Sequence, residues 1–267
     1  MRPVGRVSTS LGYAIGYDEA GAGDHPPLVF LHGVGSDKSV WHPQLVQFAA
    51  ERRTIAFDYP GYGDSDPAPA GTSRETYAAA ILSAMRELGV GQAHVCGLSL
   101  GGVVAIAMHA AAPGACASLT LADTFAQHPD GQAIRQRSLA ALEHGTLREL
   151  AEARVDVLLA QPANPAVRAE VVETMGRIDP AAYRIGAEAV WLADQRERAH
   201  EIRVPTLVLC GAQDHVTPPA LSHALQQLIS GARYEQIERA GHLGNLEQPA
   251  AFNTFLGAFI RGVDSRS

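Results

Sequence analysis

Two kinds of hydrophobic spacing alternate along this chain. Short continuous apolar runs recur at Leu28-Val29-Phe30-Leu31, Thr54-Ile55-Ala56-Phe57, residues 93–96, residues 118–122 and Thr206-Leu207-Val208-Leu209-Cys210. A run with no polar face suits a strand covered on both sides. Between these runs the apolar residues fall three and four apart. Tyr77, Ile81, Ala84, Met85 and Leu88 line one stripe of residues 73–88, with Ser73 and Thr76 offering N-cap chemistry and Gly89 a stop. Helical spacing also covers residues 41–53, 218–229 and 250–260, and residues 103–112 are apolar all round, as in a buried helix. Residues 6–17 alternate weakly around Gly12 and predict two short strands and a hairpin. Residues 232–237 predict a last strand.

Strands that alternate with helices predict an α/β fold, a mostly parallel sheet with helices on both faces. One region breaks the pattern. Residues 125–201 show no strand signal, and helices fit at 133–143, 147–159, 166–176 and 181–193, with breaks at Gly145, Gln161-Pro162 and Asp179-Pro180. The expected organisation is a core of residues 1–124 and 202–267, with residues 125–201 inserted after the sixth strand as a helical cap, or lid.

Length and charge narrow the function classes. The 267 residues suit one large domain carrying an insertion, and the formal charge is −7. Lys38 is the one lysine, and no basic patch stands out, so neither nucleic acid nor an anionic membrane is an expected partner. Cys96, Cys116 and Cys210 are odd in number and form no Cys-x-x-Cys, which reads as reduced core thiols. The first residues lack the apolar stretch of a signal peptide, and no run approaches membrane-spanning length. The expected location is the cytoplasm.

The candidate chemistry lies in Gly97-Leu98-Ser99-Leu100-Gly101, between the strand at 93–96 and the helix at 103–112. A strand, a sharp turn and a helix would lift the Ser99 hydroxyl clear of the sheet as a nucleophile. A Cβ at Gly97 or Gly101 would clash where strand and helix nearly touch. Serine needs a base, and the base an orienting acid. Reactive groups in such sheets gather at the carboxyl ends of strands. Of 11 histidines, His242 follows the last strand in a small flexible loop, Ala240-Gly241-His242-Leu243-Gly244, and is the expected base. His94 opens a strand at its amino end, His109 sits inside a helix, and His128, His144 and His200 lie in or near the cap. Asp214, just past the strand at 206–210, is the preferred acid; Asp123, just past the strand at 118–122, is the competitor. Asp58 reads as a loop-shaping residue. The backbone N–H of Leu100, at a helix start, and that of Val34, in the loop after 28–31, are the expected oxyanion donors. His32 reads as a loop brace or, less favoured, a direct participant. Lys38-Ser39 lacks the glycines of a phosphate loop, no dinucleotide fingerprint opens a helix, and no cluster has metal spacing, so no cofactor and no metal is expected.

The order Ser99, Asp214, His242, with His32-Gly33 upstream and Asp58-Tyr59-Pro60-Gly61-Tyr62-Gly63-Asp64-Ser65 between, resembles the α/β-hydrolase superfamily. The likeness implies an α/β-hydrolase fold with an eight-stranded, mostly parallel sheet and a helical cap insertion. Within the superfamily, Gly211-Ala212-Gln213-Asp214 followed by Thr217-Pro218-Pro219, then Gly241-His242 followed by Asn245-Leu246-Glu247-Gln248-Pro249, is similar to 3-oxoadipate enol-lactonases. That similarity implies a small ester or lactone substrate and an acyl-enzyme mechanism. Carbon–carbon hydrolases usually carry Asn and Trp where this chain has Leu98 and Leu243. Broad carboxylesterases, carbon–carbon bond hydrolases despite that difference, cofactor-free haloperoxidases with the same triad, and ligand receptors on a hydrolase fold stay open alternatives. An anionic substrate would want a cation nearby; the cap arginines Arg135, Arg137, Arg154 and Arg184 are candidates, with nothing to say which faces inward.

Overall fold

The structure, a computed structural model, describes residues 5–266. Eight strands form one sheet: β1 (Gly5–Ser8), β2 (Ala14–Ala20), β3 (Leu28–Leu31), β4 (Thr54–Phe57), β5 (Ala93–Leu98), β6 (Cys116–Ala122), β7 (Thr206–Gly211) and β8 (Arg233–Ile237). Their spatial order is β1-β2-β4-β3-β5-β6-β7-β8. The pairings β1–β2 and β2–β4 are antiparallel, and every pairing from β4 to β8 is parallel. The apolar runs are buried throughout β3, β4, β5 and β7, as a sheet covered on both faces requires.

The helices are α1 (His42–Phe48), α2 (Arg74–Glu87), α3 (Leu100–Ala111), α4 (Gly131–His144), α5 (Leu147–Leu158), α6 (Pro165–Arg177), α7 (Pro180–Trp191), α8 (Arg196–His200), α9 (Pro219–Leu228), α10 (Gly244–Glu247) and α11 (Pro249–Asp264). Successive strand residues point to opposite faces, and β3 shows which helices go where. Phe30 stacks on Trp41 at 4.8 Å, and Trp41 meets Phe252 of α11 at 5.9 Å. Its neighbour Leu31 lies against Gly101 of α3, on the other face. Ser73 and Thr76 close a reciprocal capping box at the start of α2.

Local detail departs from expectation in three places. The helix expected at 41–53 is a 3₁₀ turn, Lys38–Trp41, followed by α1, which stops at Phe48. The short helices α8 and α10 carry too few residues for a periodic signal. The inserted region is narrower than 125–201: its two ends meet in a bridge between Gln127 and Asp194, and Gln195 ties back to Val103 of α3 at 2.7 Å. Helix α8 then packs on α3 and α9 of the core. Helices α4–α7 are what stands over the sheet. Among the described residues, no helix is long and apolar enough to cross a membrane.

The strand order reverses between β3 and β5, where β4 and β6 depart to opposite sides. A crevice opens at the carboxyl ends of strands at such a switch point. Ser99 and the His32–Ser36 loop both sit there.

Candidate active site

The chain turns from β5 into α3 within one residue. Ser99 takes φ 55° and ψ −114°, a backbone conformation that L residues rarely adopt. Such strain costs about 1–3 kcal/mol and survives only where neighbours hold it. The Ser99 N–H donates to Ala122 O at 2.9 Å, and its carbonyl accepts from Gly102 N–H at 2.9 Å and the Thr124 hydroxyl at 2.8 Å. The two glycines serve as expected. A Cβ on Gly97 would lie 2.2 Å from Gly101 O, and one on Gly101 would lie 2.1 Å from Leu31 O.

Asp214 and His242 come together from the ends of β7 and β8. The His242 Nδ1–H donates to Asp214 Oδ2 at 2.8 Å. The same carboxylate accepts from the Thr217 hydroxyl at 2.6 Å and from the Val216 and Thr217 N–H groups at 2.7 and 2.9 Å. Burial alone would push the Asp214 carboxyl up, but the imidazole and the Thr217 donors outweigh it and bring the pKa down to about 2. Asp214 is therefore an anion at neutral pH, and it fixes the tautomer that leaves His242 Nε2 free to accept. The loop bearing His242 is tied to the cap: His242 N–H donates to Leu158 O at 2.7 Å. Glu247 braces both sides, accepting from Gly241 N–H at 2.8 Å and Ala160 N–H at 2.7 Å. Ser99 and His242 line one cavity. Among the described residues no hydrogen bond yet joins the Ser99 hydroxyl to the imidazole; in an empty site such contacts are often long.

Val34 lines the same cavity, and Leu100 is the first residue of α3, where the N–H has no helical partner. The Val34 loop is stiffened from beneath. His32 is fully buried between the rings of Tyr59 and Tyr62, at 4.4 and 4.9 Å, and its Nδ1–H donates to Gly33 O at 2.8 Å. Burial pushes its pKa down, so it is a neutral brace. Tyr62 donates to Val34 O at 3.3 Å. Asp58 shapes the neighbouring loop: it accepts from Lys38 Nζ at 2.6 Å, Lys38 N–H at 2.9 Å and Asp64 N–H at 3.0 Å. The Cβ of any other residue at Gly63 would lie 2.2 Å from that carboxylate.

Asp123 does not hold the imidazole. It is fully buried at φ 46°, with Oδ1 accepting from Gly211 N–H at 2.7 Å. Its Oδ2 is buried with no hydrogen-bond partner among the described residues. Ligand atoms of Asp123, Cys210 and Asp214 lie within 4.8 Å of one another, a cluster that sequence spacing does not reveal. Burial first, then the charge of Asp214, pushes the Asp123 carboxyl well up. It keeps its proton to a higher pH in the folded protein than in the unfolded chain, where the proton is lost near pH 4. Its contribution to stability is complete below about pH 4 and declines as pH rises toward the folded value. Asp123→Asn needs no proton at this position, so its melting temperature should gain on the wild type as pH rises from about 5 to 8. A constant difference across that range in thermal melts would show that Asp123 is not held neutral.

Apolar side chains from the cap close the cavity, among them Leu158, Val171, Met175 and Trp191, with Arg154 and Tyr183 as polar members. Of these cap residues only Arg154 was a candidate in the sequence, as one of four arginines that could meet an anionic substrate; the others carried no signal beyond helical spacing.

Comparison with known proteins gives the family of this chain. The profile of the "Alpha/beta hydrolase family" matches residues 28–255. The chain is 26% identical to 3-oxoadipate enol-lactonase 1 of Acinetobacter baylyi over 264 residues, covering 96% of this chain and 97% of that protein. The crystal structure of the enol-lactonase from Burkholderia xenovorans is similar at a TM-score of 0.88 and 28% identity, over 96% of this chain and 100% of that one. A thermophilic esterase from Thermogutta terrifontis, solved with malate bound, is similar at a TM-score of 0.90 and 25% identity, over 98% and 100%. The family profile spans β3 to β8, the strained serine turn and the histidine loop, and the chain belongs to the α/β-hydrolase family, with lactonases and esterases among its relatives.

Proposed function

We propose that this protein is a serine hydrolase that cleaves a carboxylic ester or lactone through an acyl-enzyme, with 3-oxoadipate enol-lactone as the substrate favoured by its relatives. The observation that carries the reading is the ionised Asp214 bonded at 2.8 Å to His242 Nδ1, in the cavity that the strained Ser99 also lines. His242 Nε2 takes the Ser99 proton as Oγ attacks the carbonyl carbon. The N–H groups of Leu100 and Val34 hold the oxyanion, helped by the dipole of α3. The carbonyl re-forms, the carbon–oxygen bond breaks, and the imidazolium protonates the departing oxygen. From an enol-lactone the freed enol becomes a ketone, which draws the reaction forward. Water, losing its proton to His242, then releases the acid and restores Ser99. Asp214→Asn should lower kcat about 10³- to 10⁴-fold by losing the orienting anion, with little change in KM.

The substrate is tested by steady-state rates on 3-oxoadipate enol-lactone and a short p-nitrophenyl ester in parallel. A kcat/KM for the lactone at least about 100-fold above the ester's supports the enol-lactonase reading. Turnover of the ester alone would leave a carboxylesterase and discard the lactone.

A further inference from the structure

The cap arginines differ in what they face. Arg135 pairs with Glu188, Arg148 with Glu173, Arg168 with Asp156 at 3.3 Å and Arg177 with Asp37 at 3.1 Å. Arg137 and Arg184 are exposed. Arg154 on α5 is half-buried, and its Nη1 donates only to neutral groups, Ser138 Oγ at 3.2 Å and Tyr183 Oη at 3.3 Å. Among the described residues no carboxylate lies within ion-pair distance of it.

Its position is as informative as its partners. Arg154 lines the catalytic cavity together with Ser99 and His242. It also lines an adjoining cleft, with Arg137, Ser138 and His215, whose walls carry no Asp or Glu among the described residues. Among the described residues, the one carboxylate lining the catalytic cavity is Glu170, exposed on α6. A guanidinium presents five N–H donors in a planar fork that matches a carboxylate. Arg154 spends one nitrogen on two neutral oxygens, in a wall that is otherwise largely apolar. A positive charge held partly out of water with no counter-ion is costly, and a ligand carboxylate would supply the missing partner.

We infer that Arg154 anchors a carboxylate carried by the substrate at the end remote from its scissile carbonyl, where the catalytic cavity and the Arg137–His215 cleft share Arg154 and Val216 as lining. The preferred substrates are then half-esters or lactones of dicarboxylic acids. This rests on the serine-hydrolase reading for the chemistry, but the binding of the carboxylate does not. Arg137 adds positive potential along the cleft.

The test compares p-nitrophenyl butyrate, which is neutral, with the mono-p-nitrophenyl ester of glutaric acid, which carries the second carboxylate. The wild type should prefer the anionic ester. Arg154→Met, which keeps the apolar stem, should cut the anionic-to-neutral ratio of kcat/KM by about 10- to 100-fold, mostly through KM, as expected for one lost charge-assisted pair. Arg154→Lys should recover part of the ratio, and Arg177→Gln should leave it alone. Glutarate binding to Ser99→Ala protein, followed by calorimetry, reads the same contact without turnover. Adding Arg154→Met there should weaken glutarate by a similar factor. If neither ester turns over but glutarate binding still depends on Arg154, the hydrolase reading fails and the carboxylate site stands. If Arg154→Met lowers both esters equally, or leaves glutarate binding unchanged, Arg154 merely braces α4 and α7 and the inference is overturned.

Discussion

Ser99→Ala should lower kcat on any ester or lactone the enzyme accepts by about 10⁴- to 10⁶-fold, with KM changing far less. The hydroxyl is the atom that the mechanism makes covalent. On the proposed mechanism, removing it leaves Asp214 and His242 idle beside the N–H groups of Val34 and Leu100. Ser99 is almost fully buried at the turn, and its conformation is set by backbone bonds to Ala122, Gly102 and Thr124. None of those bonds uses Oγ, so the variant should fold, and a melting temperature close to the wild type's should accompany the lost rate. Retention of even a tenth of the activity would mean that the chemistry runs through another group.

The second large effect is on folding. Gly101→Ala places a methyl group 2.1 Å from Leu31 O and 2.7 Å from Leu31 C. Both atoms belong to the backbone of β3 in the middle of the sheet, so no side chain can swing aside. Either α3 moves away from the sheet or β3 leaves its register, and α3 is buried along almost its whole length. Overpacking against a side chain typically costs about 1–3 kcal/mol, and against fixed backbone more. Total stability is only about 5–15 kcal/mol, so Gly101→Ala should shift the denaturation midpoint strongly or leave no folded protein. A midpoint within error of the wild type's would show that strand and helix are not in the contact described.

The sheet was legible because a parallel strand buried on both faces is apolar at nearly every position; in β4 and β7 the polar residues, Thr54 and Thr206, enter only at the start. The runs at β3, β4 and β7 therefore announced themselves. The cap helices were legible from their breaks at Gly145, Gln161-Pro162 and Asp179-Pro180; at the last, the Asp179 side chain caps a helix that begins with a proline. Residues just after strands could be ranked because the rule about carboxyl ends needs only chain order. Distances across the fold were another matter. Asp123 and Asp214 both follow strands, and only the turn that carries Val216 and Thr217 shows which one receives the donors. The approach of Asp123 to Asp214 depends on β6 and β7 being neighbours, which chain order alone does not say. In the cap the sequence shows many arginines on amphipathic helices, and which of them turns inward follows from the packing of α4, α5 and α7. The tie from His242 to Leu158 is invisible for the same reason, since it joins a loop of the core to the end of a cap helix.

The most direct test of the central claim is to catch the intermediate. A rapid acid quench of enzyme turning over excess p-nitrophenyl acetate, followed by peptide mass mapping, reads which atom holds the acyl group. The account predicts an acetyl adduct on the peptide containing Ser99, more abundant in His242→Ala protein if acylation persists while deacylation stalls, and absent in Ser99→Ala. Sustained hydrolysis with no adduct on Ser99 in the quenched wild-type enzyme, or with the adduct on another residue, would contradict it.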